Sequence, residues 1–271
     1  MRLHVRHQTA YHYDRPIAYA IQTLRLSPQP YDGMSVLHWR IAGETRRPLP
    51  GFIDGFGNLT HCHTVNHPHT SAAVFVEGEV ETRDTAGVIL GAAETLPPAF
   101  FLRRTKLTEP VPGIVALAGD SMIGAAPMDR LMALMEAVST KVAYQPGVTF
   151  SKTTAGEALG LGAGVCQDHA HIFIAAARSS GIPARYVGGY LWPGEGGPDE
   201  QASHAWAEAF VPDVGWVGFD ASNNLLAYEA HIRTAVGLDY WEAAPVRGLR
   251  RGDAEETLAV KVHVTRAQAQ Q

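Results

Sequence analysis

The most constraining feature of this sequence is a helix pattern that starts at Cys166, directly behind the glycine-rich stretch 160–164. After the cysteine, apolar residues recur at positions i, i+3, i+4 and i+7, namely Ala170, Phe173, Ile174 and Ala177. This spacing is typical of one buried helix face. Gly181 ends the pattern, and Pro183 prevents its continuation. The sequence therefore predicts a helix over about 166–180, with Cys166 in its first turn.

Segments rich in aromatic and β-branched residues, which favour strands, surround this helix. Three of them follow it, at 184–192, 203–211 and 215–221. Period-two alternation predicts further strands at 3–13, 36–43, 59–67, 71–82 and 256–267. Such alternation is typical of antiparallel sheets with one wet face. We therefore expect an α+β fold, with a β-rich N-terminal domain over 1–100, a second domain over 101–250, and a C-terminal strand and tail over 251–271.

The segment before Cys166 predicts less regular structure. A helix is expected over 127–144, with Pro127 in its first turn. Its apolar stripe comprises Met128, Leu131, Met132, Met135 and Val138. We expect loops and a short helix over 101–125, and a loop with one helical turn at 155–159. A flexible loop is expected at 194–198.

Composition restricts the class of protein. The formal net charge of −5 and the scattered Lys and Arg residues argue against a nucleic-acid binder. The first residues lack the apolar core of a signal peptide, and no apolar run is long enough to span a bilayer. We therefore expect a soluble, cytoplasmic protein without membrane partners. Its two cysteines are then expected to be free thiols.

Cys166 has the position of a nucleophile. The unpaired N–H groups and the macrodipole of a helix N-terminus stabilise a thiolate. The same N–H groups can donate to an oxyanion. The glycines before the cysteine allow a substrate to approach the backbone closely. The alternative is a small, buried, apolar cysteine. A nucleophile needs a base and an orienting group. His204 begins one predicted strand and Asp220 ends the next, so a hairpin between them would place the two side chains together.

Several neighbouring residues allow two interpretations. Gln167 and Asp168 either cap the helix or face a cleft. His169 follows Cys166 by three residues, so it either neighbours the thiol or packs as a buried polar residue. Trp206, Tyr186 and Tyr190 either wall a cleft or belong to the core.

Two long segments carry a family resemblance: GVCQDHAHIFIAAARSSGIPARYVGGY (164–190) and HAWAEAFVPDVGWVGFDASN (204–223). They resemble the transglutaminase-like cysteine enzymes of the papain-related superfamily. The segments 7–17, 24–29, 54–58 and 231–248 resemble its bacterial subgroup with a β-rich N-terminal region. The resemblance implies a papain-like catalytic core in which the cysteine-bearing helix packs on an antiparallel sheet. It also implies Cys166 as nucleophile, His204 as base and Asp220 as orienting group. The sequence departs from the family pattern at 221–223 and at Leu238.

The implied chemistry is acyl transfer on an amide bond through a thioester, without metal or organic cofactor. Water as acceptor would make the protein a protease or amidase acting on a peptide or protein, and this is the outcome we expect. An amine as acceptor would make it a protein-glutamine gamma-glutamyltransferase, which crosslinks proteins. A third possibility is a non-catalytic module that only binds peptides.

A second cluster, HCHTVNHPH, contains residue types that bind metals: His61, Cys62, His63, His67 and His69. Its spacing matches no zinc motif. On a strand, His61 and His63 share one face, and Cys62 points to the other. We expect the two imidazoles on a wet face and Cys62 half-buried, without a metal.

Overall fold

The computed structural model describes residues 1–124, 126–195 and 203–267. The N-terminal part contains seven strands: β1 (Arg2–Ile17), β2 (Tyr19–Leu24), β3 (Met34–Ala42), β4 (Gly51–Ile53), β5 (Leu59–Val65), β6 (His69–Thr82) and β7 (Val88–Ile89). Every second residue from Leu3 to Thr9 is buried, because successive side chains of a strand point to opposite faces. The predicted period-two strands are confirmed here, whereas β2, β4 and β7 were not predicted.

The middle of the chain is helical. After a 3-10 helix (Pro98–Leu102) come α1 (Pro112–Ser121), α2 (Pro127–Lys141), β8 (Ala143–Tyr144), α3 (Ala155–Leu161), β9 (Ala163–Gly164) and α4 (Cys166–Ser179). Helix α4 matches the predicted helix to within one residue. It is buried on every side from Asp168 to Arg178, not on one face alone, because α1, α2 and α3 pack around it as well as the sheet. Among the described residues, no helix has the length and apolarity needed to cross a membrane.

Two details of the preceding helices differ from the prediction. Met132 was expected in the apolar stripe of α2, but it is 38% exposed. Leu134 is buried instead, because it lies between Leu131 and Val138 on the face that meets the core. Helix α3 extends the single predicted turn to Leu161, and a reciprocal capping box of Thr154 and Glu157 stabilises its start.

The helices pack on an antiparallel sheet built from β10 (Ala184–Leu191), β11 (Ser203–Val211), β12 (Gly215–Asp220), β13 (Leu225–Leu226) and β14 (His231–Gly237). The strand order is β13-β12-β11-β10-β14, and β7 also pairs with β12. Helix α4 contacts β10 and β11. The three strands predicted after the helix are confirmed, and β14 is an addition. Most of the loop predicted at 194–198 lies outside the described residues.

The end of the chain returns to the N-terminal strands. After α5 (Tyr240–Ala243) come β15 (Val246–Arg251) and β16 (Glu256–Arg266). They complete two four-stranded sheets, of order β15-β2-β5-β4 and β16-β1-β6-β3. In β16, Val262 and Val264 are buried, but Leu258 and Val260 are half-exposed, so the alternation holds only in its second half. The boundaries 1–100, 101–250 and 251–271 stay a prediction, and β15 joins the N-terminal sheets although all but its last residue falls within 101–250.

A buried ionic network braces the sheet beneath the helices. Glu208 is fully buried and accepts hydrogen bonds from Arg185 Nε at 2.6 Å and Arg233 Nε at 2.8 Å. Arg185 also donates to Glu94 at 2.6 Å. The two guanidinium groups therefore share the Glu208 carboxylate, and Arg185 has Glu94 as a second partner.

Glu208→Ala is expected to lower the free energy of unfolding by about 3–5 kcal/mol, because it leaves two arginines facing each other without their shared carboxylate. Urea denaturation would measure the change. Glu77→Ala is the matched control, since Glu77 lies 3.5 Å from Arg6 with both side chains exposed. We expect that control to change stability by less than about 1 kcal/mol. Equal effects of the two variants would contradict the structural role of the network.

His7 connects the N-terminal sheet to the helix-bearing part of the molecule. Its Nδ1 lies 2.9 Å from the hydroxyl of Tyr190 in β10, and its Nε2 lies 2.8 Å from the hydroxyl of Thr9. Burial lowers the pKa of His7 to about 4. The imidazole is therefore neutral in the folded protein at neutral pH.

This lowered pKa predicts an acid-sensitive contact. Between about pH 6.5 and pH 4 the unfolded chain binds a proton at His7 that the folded chain does not, so stability falls as pH falls through this window. The contribution reaches about 3 kcal/mol at its lower end. Denaturation at both pH values should show a smaller acid effect in His7→Gln than in wild type. The exposed His12→Gln should behave as wild type, and an unchanged acid effect in His7→Gln would refute the prediction.

Candidate active site

The N-terminus of α4 is fixed by the residues around Cys166. Short parallel pairing of β8 with β9 brings Tyr144 alongside Gly164. Asp168 accepts hydrogen bonds from the Val165 N–H at 2.8 Å and from the Thr149 hydroxyl at 2.7 Å. Asp168 is thus a capping residue, which was one of its two predicted roles. A side chain at Gly164 would lie 2.6 Å from the Asp168 carboxylate, so this glycine makes room for the cap and not for a substrate.

The hairpin of β11 and β12 brings His204 and Asp220 together as the sequence predicts. The strands pair from Ala207 with Phe219 to Val211 with Gly215, so the start of one lies beside the end of the other. His204 Nε2 lies 2.7 Å from Asp220 Oδ2. Cys166 and His204 line the same cavity, and the thiol group contributes to the raised pKa of the ring. Since Asp220 occupies Nε2, the nitrogen left to face the sulfur is Nδ1.

Asp220 is fully buried and collects an unusual number of hydrogen bonds. Its Oδ1 accepts from the Ser222 N–H, the Ser222 hydroxyl and the Asn223 N–H. Its Oδ2 accepts from His204, from Asn223 Nδ2 at 2.7 Å and from His231 Nε2 at 3.1 Å. Both oxygens are therefore held in place and stabilised as a carboxylate.

These contacts determine the charge states of His204 and Asp220. Burial alone would lower the pKa of His204, but its hydrogen bonds to Asp220 and Cys166 outweigh burial and raise the pKa to about 10. Burial alone would raise the pKa of Asp220, yet the hydrogen bonds from His204 and His231 hold it well below its ordinary value. An imidazolium beside a carboxylate is thus the favoured state of His204 and Asp220 near neutral pH.

Two cavities meet at His204. One, of about 200 Å³, is lined by Cys166, Tyr186 and Tyr190 among others. The other, of about 470 Å³, is lined by Tyr144, Asn223 and His231 among others. His204 lines both. His204 is thus accessible from both cavities, and Cys166 is reached through the smaller one. Tyr186 and Tyr190 line this cavity, but they are only 3% and 1% exposed and belong to the hydrophobic core, so both of their interpretations apply.

The other histidines of α4 are structural. Both ring nitrogens of the buried His169 lie 2.9 Å from backbone carbonyl oxygens, those of Val165 and Val142. His169 therefore ties α4 to the end of α2 and is not a partner of the thiol. His171 Nε2 accepts from the Tyr240 N–H at 3.1 Å, and burial lowers its pKa to about 3. These contacts favour the packed interpretation of His169.

Trp206 lies in the core behind the imidazoles. It is 2% exposed, its ring stacks on His204 with centroids 6.2 Å apart, and it meets His231 edge-on at 5.1 Å. Its bulk restricts both rings to their observed planes. The core interpretation of Trp206 is the one the structure supports.

The histidine-rich strand β5 differs from the prediction in one respect. His63 was expected on a wet face with His61, but it is buried and lies 3.1 Å from Gln22 Oε1 on the neighbouring strand. The wet-face interpretation is wrong for His63, because the side chain packs over Gly43, where a Cβ would lie 2.5 Å from its Nε2. Cys62 is half-buried, as expected, near the Thr64 hydroxyl.

Within the described part of the chain, the one group of three residues with metal-ligand atoms close together is His204, Asp220 and His231, whose atoms lie within 4.8 Å of one another. Those atoms are engaged in the hydrogen bonds given above. The residues of the cluster around His61 do not form such a group among the described residues.

Sequence reasoning missed His231, Tyr144 and Asn223. The signal for His231 was available: Ile232, Thr234 and Val236 are β-branched at every second position, which is a strand pattern with His231 at its start. Tyr144 was expected at the end of the helix over 127–144, but α2 ends at Lys141 and Tyr144 lies on the two-residue strand β8. Asn223 lies in a turn, where no periodicity indicates a role.

Comparison with known proteins identifies the family of this chain. The family model for the transglutaminase-like superfamily matches residues 119–221, and that for the bacterial transglutaminase-like N-terminal region matches 3–81. An uncharacterized protein of Mycobacterium leprae is 30% identical over 98% of this chain and 99% of its own length. The chain belongs to the transglutaminase-like superfamily. This membership confirms the resemblance and the α+β fold class predicted from the sequence.

Two further relatives of this transglutaminase-like chain are informative. An uncharacterized protein of Mycobacterium tuberculosis is 29% identical over 76% of this chain and 73% of its own length. A crystal structure from Cytophaga hutchinsonii, described as a candidate cysteine protease, superposes with a TM-score of 0.77 at 20% identity. It covers 100% of this chain and 92% of its own, so both the N-terminal sheets and the helix-bearing part share its fold.

Proposed function

We propose that this protein is a cysteine-dependent acyl-transfer enzyme that cleaves an amide bond of a peptide or protein. The observation that carries the proposal is the placement of His204, which lies 2.7 Å from the buried Asp220 carboxylate and lines one cavity together with Cys166. A buried carboxylate, an oriented imidazole and a half-exposed thiol at a helix N-terminus form a Cys-His-Asp triad.

The proposed reaction begins with attack of the Cys166 thiolate on the substrate carbonyl carbon. The developing oxyanion lies near the backbone N–H groups at the start of α4, which donate to it. His204 Nδ1–H then protonates the leaving amine, the C–N bond breaks, and a thioester remains on Cys166. Asp220 stays ionised throughout and stabilises the imidazolium through Nε2. Water activated by His204 hydrolyses the thioester and releases the acid.

Hydrolysis is the proposed outcome because water is the simplest acceptor for the thioester. The test is incubation of a defined peptide mixture with the enzyme in H₂¹⁸O containing a primary amine such as cadaverine. Hydrolysis places ¹⁸O in new carboxyl termini, whereas crosslinking chemistry attaches cadaverine to glutamine side chains. Peptide binding without any change in mass, by wild type and Cys166→Ala alike, would contradict the enzyme proposal and favour a binding module.

The proposed substrate is a peptide or protein, and the small net charge of −5 supports this choice over a nucleic acid. We also propose a cytoplasmic location. Fractionation of cells that express the chain at native level would test it, and recovery in the membrane or exported fraction would contradict it.

A further inference from the structure

A second imidazole, that of His231, contacts the carboxylate of the proposed triad. His231 begins β14, and its side chain is 2% exposed. Its Nε2 lies 3.1 Å from Asp220 Oδ2, the same oxygen that His204 contacts at 2.7 Å. Asp220 Oδ2 therefore lies between two histidines, of which the proposed mechanism uses one.

The other nitrogen of His231 fixes the direction of this hydrogen bond. Nδ1 lies 3.2 Å from the backbone nitrogen of Tyr228, whose N–H can only donate. Nδ1 must therefore be an unprotonated acceptor, and the proton of a neutral ring resides on Nε2, from which it is donated to Asp220. Burial also lowers the pKa of His231, which keeps the ring neutral.

The surroundings hold the His231 ring in one orientation. Trp206 meets it edge-on at 5.1 Å and Tyr228 at 5.3 Å, and the His204 ring lies 5.8 Å away. His231 lines the larger cavity, whereas Cys166 lines the smaller one. Its position thus suits contact with the carboxylate and not with the sulfur.

We propose that His231 is a positioning residue, a neutral second imidazole that holds Asp220 Oδ2 in the plane in which it orients His204 toward Cys166. This inference rests on the proposed function and extends it. The two histidines have different roles: His204 transfers a proton during the reaction, whereas His231 retains its Nε2 proton and donates it as a hydrogen bond to the ionised Asp220 carboxylate. The restraint matters because Oδ2 also accepts from the Asn223 side chain, which lies in a turn and is exposed to competition from water.

The test compares iodoacetamide alkylation of Cys166 across pH in wild type, His231→Phe, His231→Gln and His204→Ala. Phenylalanine keeps a ring but removes the donor, so alkylation near neutral pH should slow by about 10- to 100-fold and its pH profile should shift toward that of His204→Ala. Glutamine carries an N–H at the place of Nε2 and should restore the wild-type profile. Circular dichroism and thermal unfolding identify any variant that does not fold.

Two results would overturn the inference. One is a folded His231→Phe with the wild-type profile, and the other is a folded His231→Gln as slow as His231→Phe. If His231→Phe does not fold, ¹⁵N chemical shifts of wild-type His231 decide: a neutral ring protonated on Nε2 from pH 5 to pH 9 supports the inference, and any other state refutes it. If His204→Ala does not slow alkylation either, the proposed function fails, which is a separate outcome.

Discussion

Replacement of Cys166 by alanine is expected to lower turnover of an amide substrate by at least about 10⁴-fold, since removal of a covalent nucleophile leaves only binding and oxyanion stabilisation. The thioester requires the Cys166 sulfur, and no other thiol lies near His204, because Cys62 is on β5 of the N-terminal sheet. The measurement is kcat/KM for a peptide that wild type cleaves, chosen from the mixture described above.

Cys62→Ala is the matched control for this replacement. Its half-buried thiol faces Thr64 and takes no part in the proposed reaction, so activity should stay within about twofold of wild type. Residual turnover of Cys166→Ala within tenfold of wild type would contradict the covalent mechanism. Loss of activity in Cys62→Ala with a normal fold would contradict the assignment of the nucleophile.

Replacement of Asp220 by asparagine is expected to lower kcat/KM by about 10² to 10⁴-fold. The neutral amide cannot stabilise the imidazolium, so the raised pKa of His204, about 10 in wild type, should fall toward that of a buried free imidazole. The His204 imidazolium, which would stabilise a thiolate on Cys166, is then lost near neutral pH. A pH profile of kcat/KM should accordingly show its remaining activity confined to more alkaline pH, where the thiol ionises without help.

Asp213→Asn is the control for this second replacement. Asp213 is exposed in the turn between β11 and β12, with a φ of 64°, a conformation that asparagine adopts readily. Its activity and pH profile should equal those of wild type. An Asp220→Asn variant that folds and retains the wild-type pH profile would show that Asp220 does not orient or charge His204.

The local patterns around the site carried most of the information needed to predict it. The apolar spacing behind Cys166, ended by Gly181, predicted the boundaries of α4 to within one residue. The hairpin expected between the two predicted strands placed His204 and Asp220 side by side. Both inferences depend on short-range geometry, which sequence periodicity reports directly.

Features set by distant contacts were not predictable in the same way. The burial of α4 on all sides follows from α1, α2 and α3 packing on it, whereas the i, i+3, i+4, i+7 spacing from which the helix was predicted marks only one face. The exposure of Met132 and the burial of His63 depend on which neighbouring element covers each position. Residues that meet Asp220 from other elements, above all His231, could be placed only once β14 was known to begin beside it.

The most direct test of the central claim, an activated Cys166–His204 pair, is the rate of iodoacetamide alkylation at about pH 6, where an isolated thiol with an ordinary pKa near 8.5 is ionised to less than about 1%. Wild type should be labelled rapidly and selectively at Cys166, and His204→Ala should be labelled at least about tenfold more slowly. Labelling of Cys166 at the rate of a free thiol, unchanged by His204→Ala, would contradict the account.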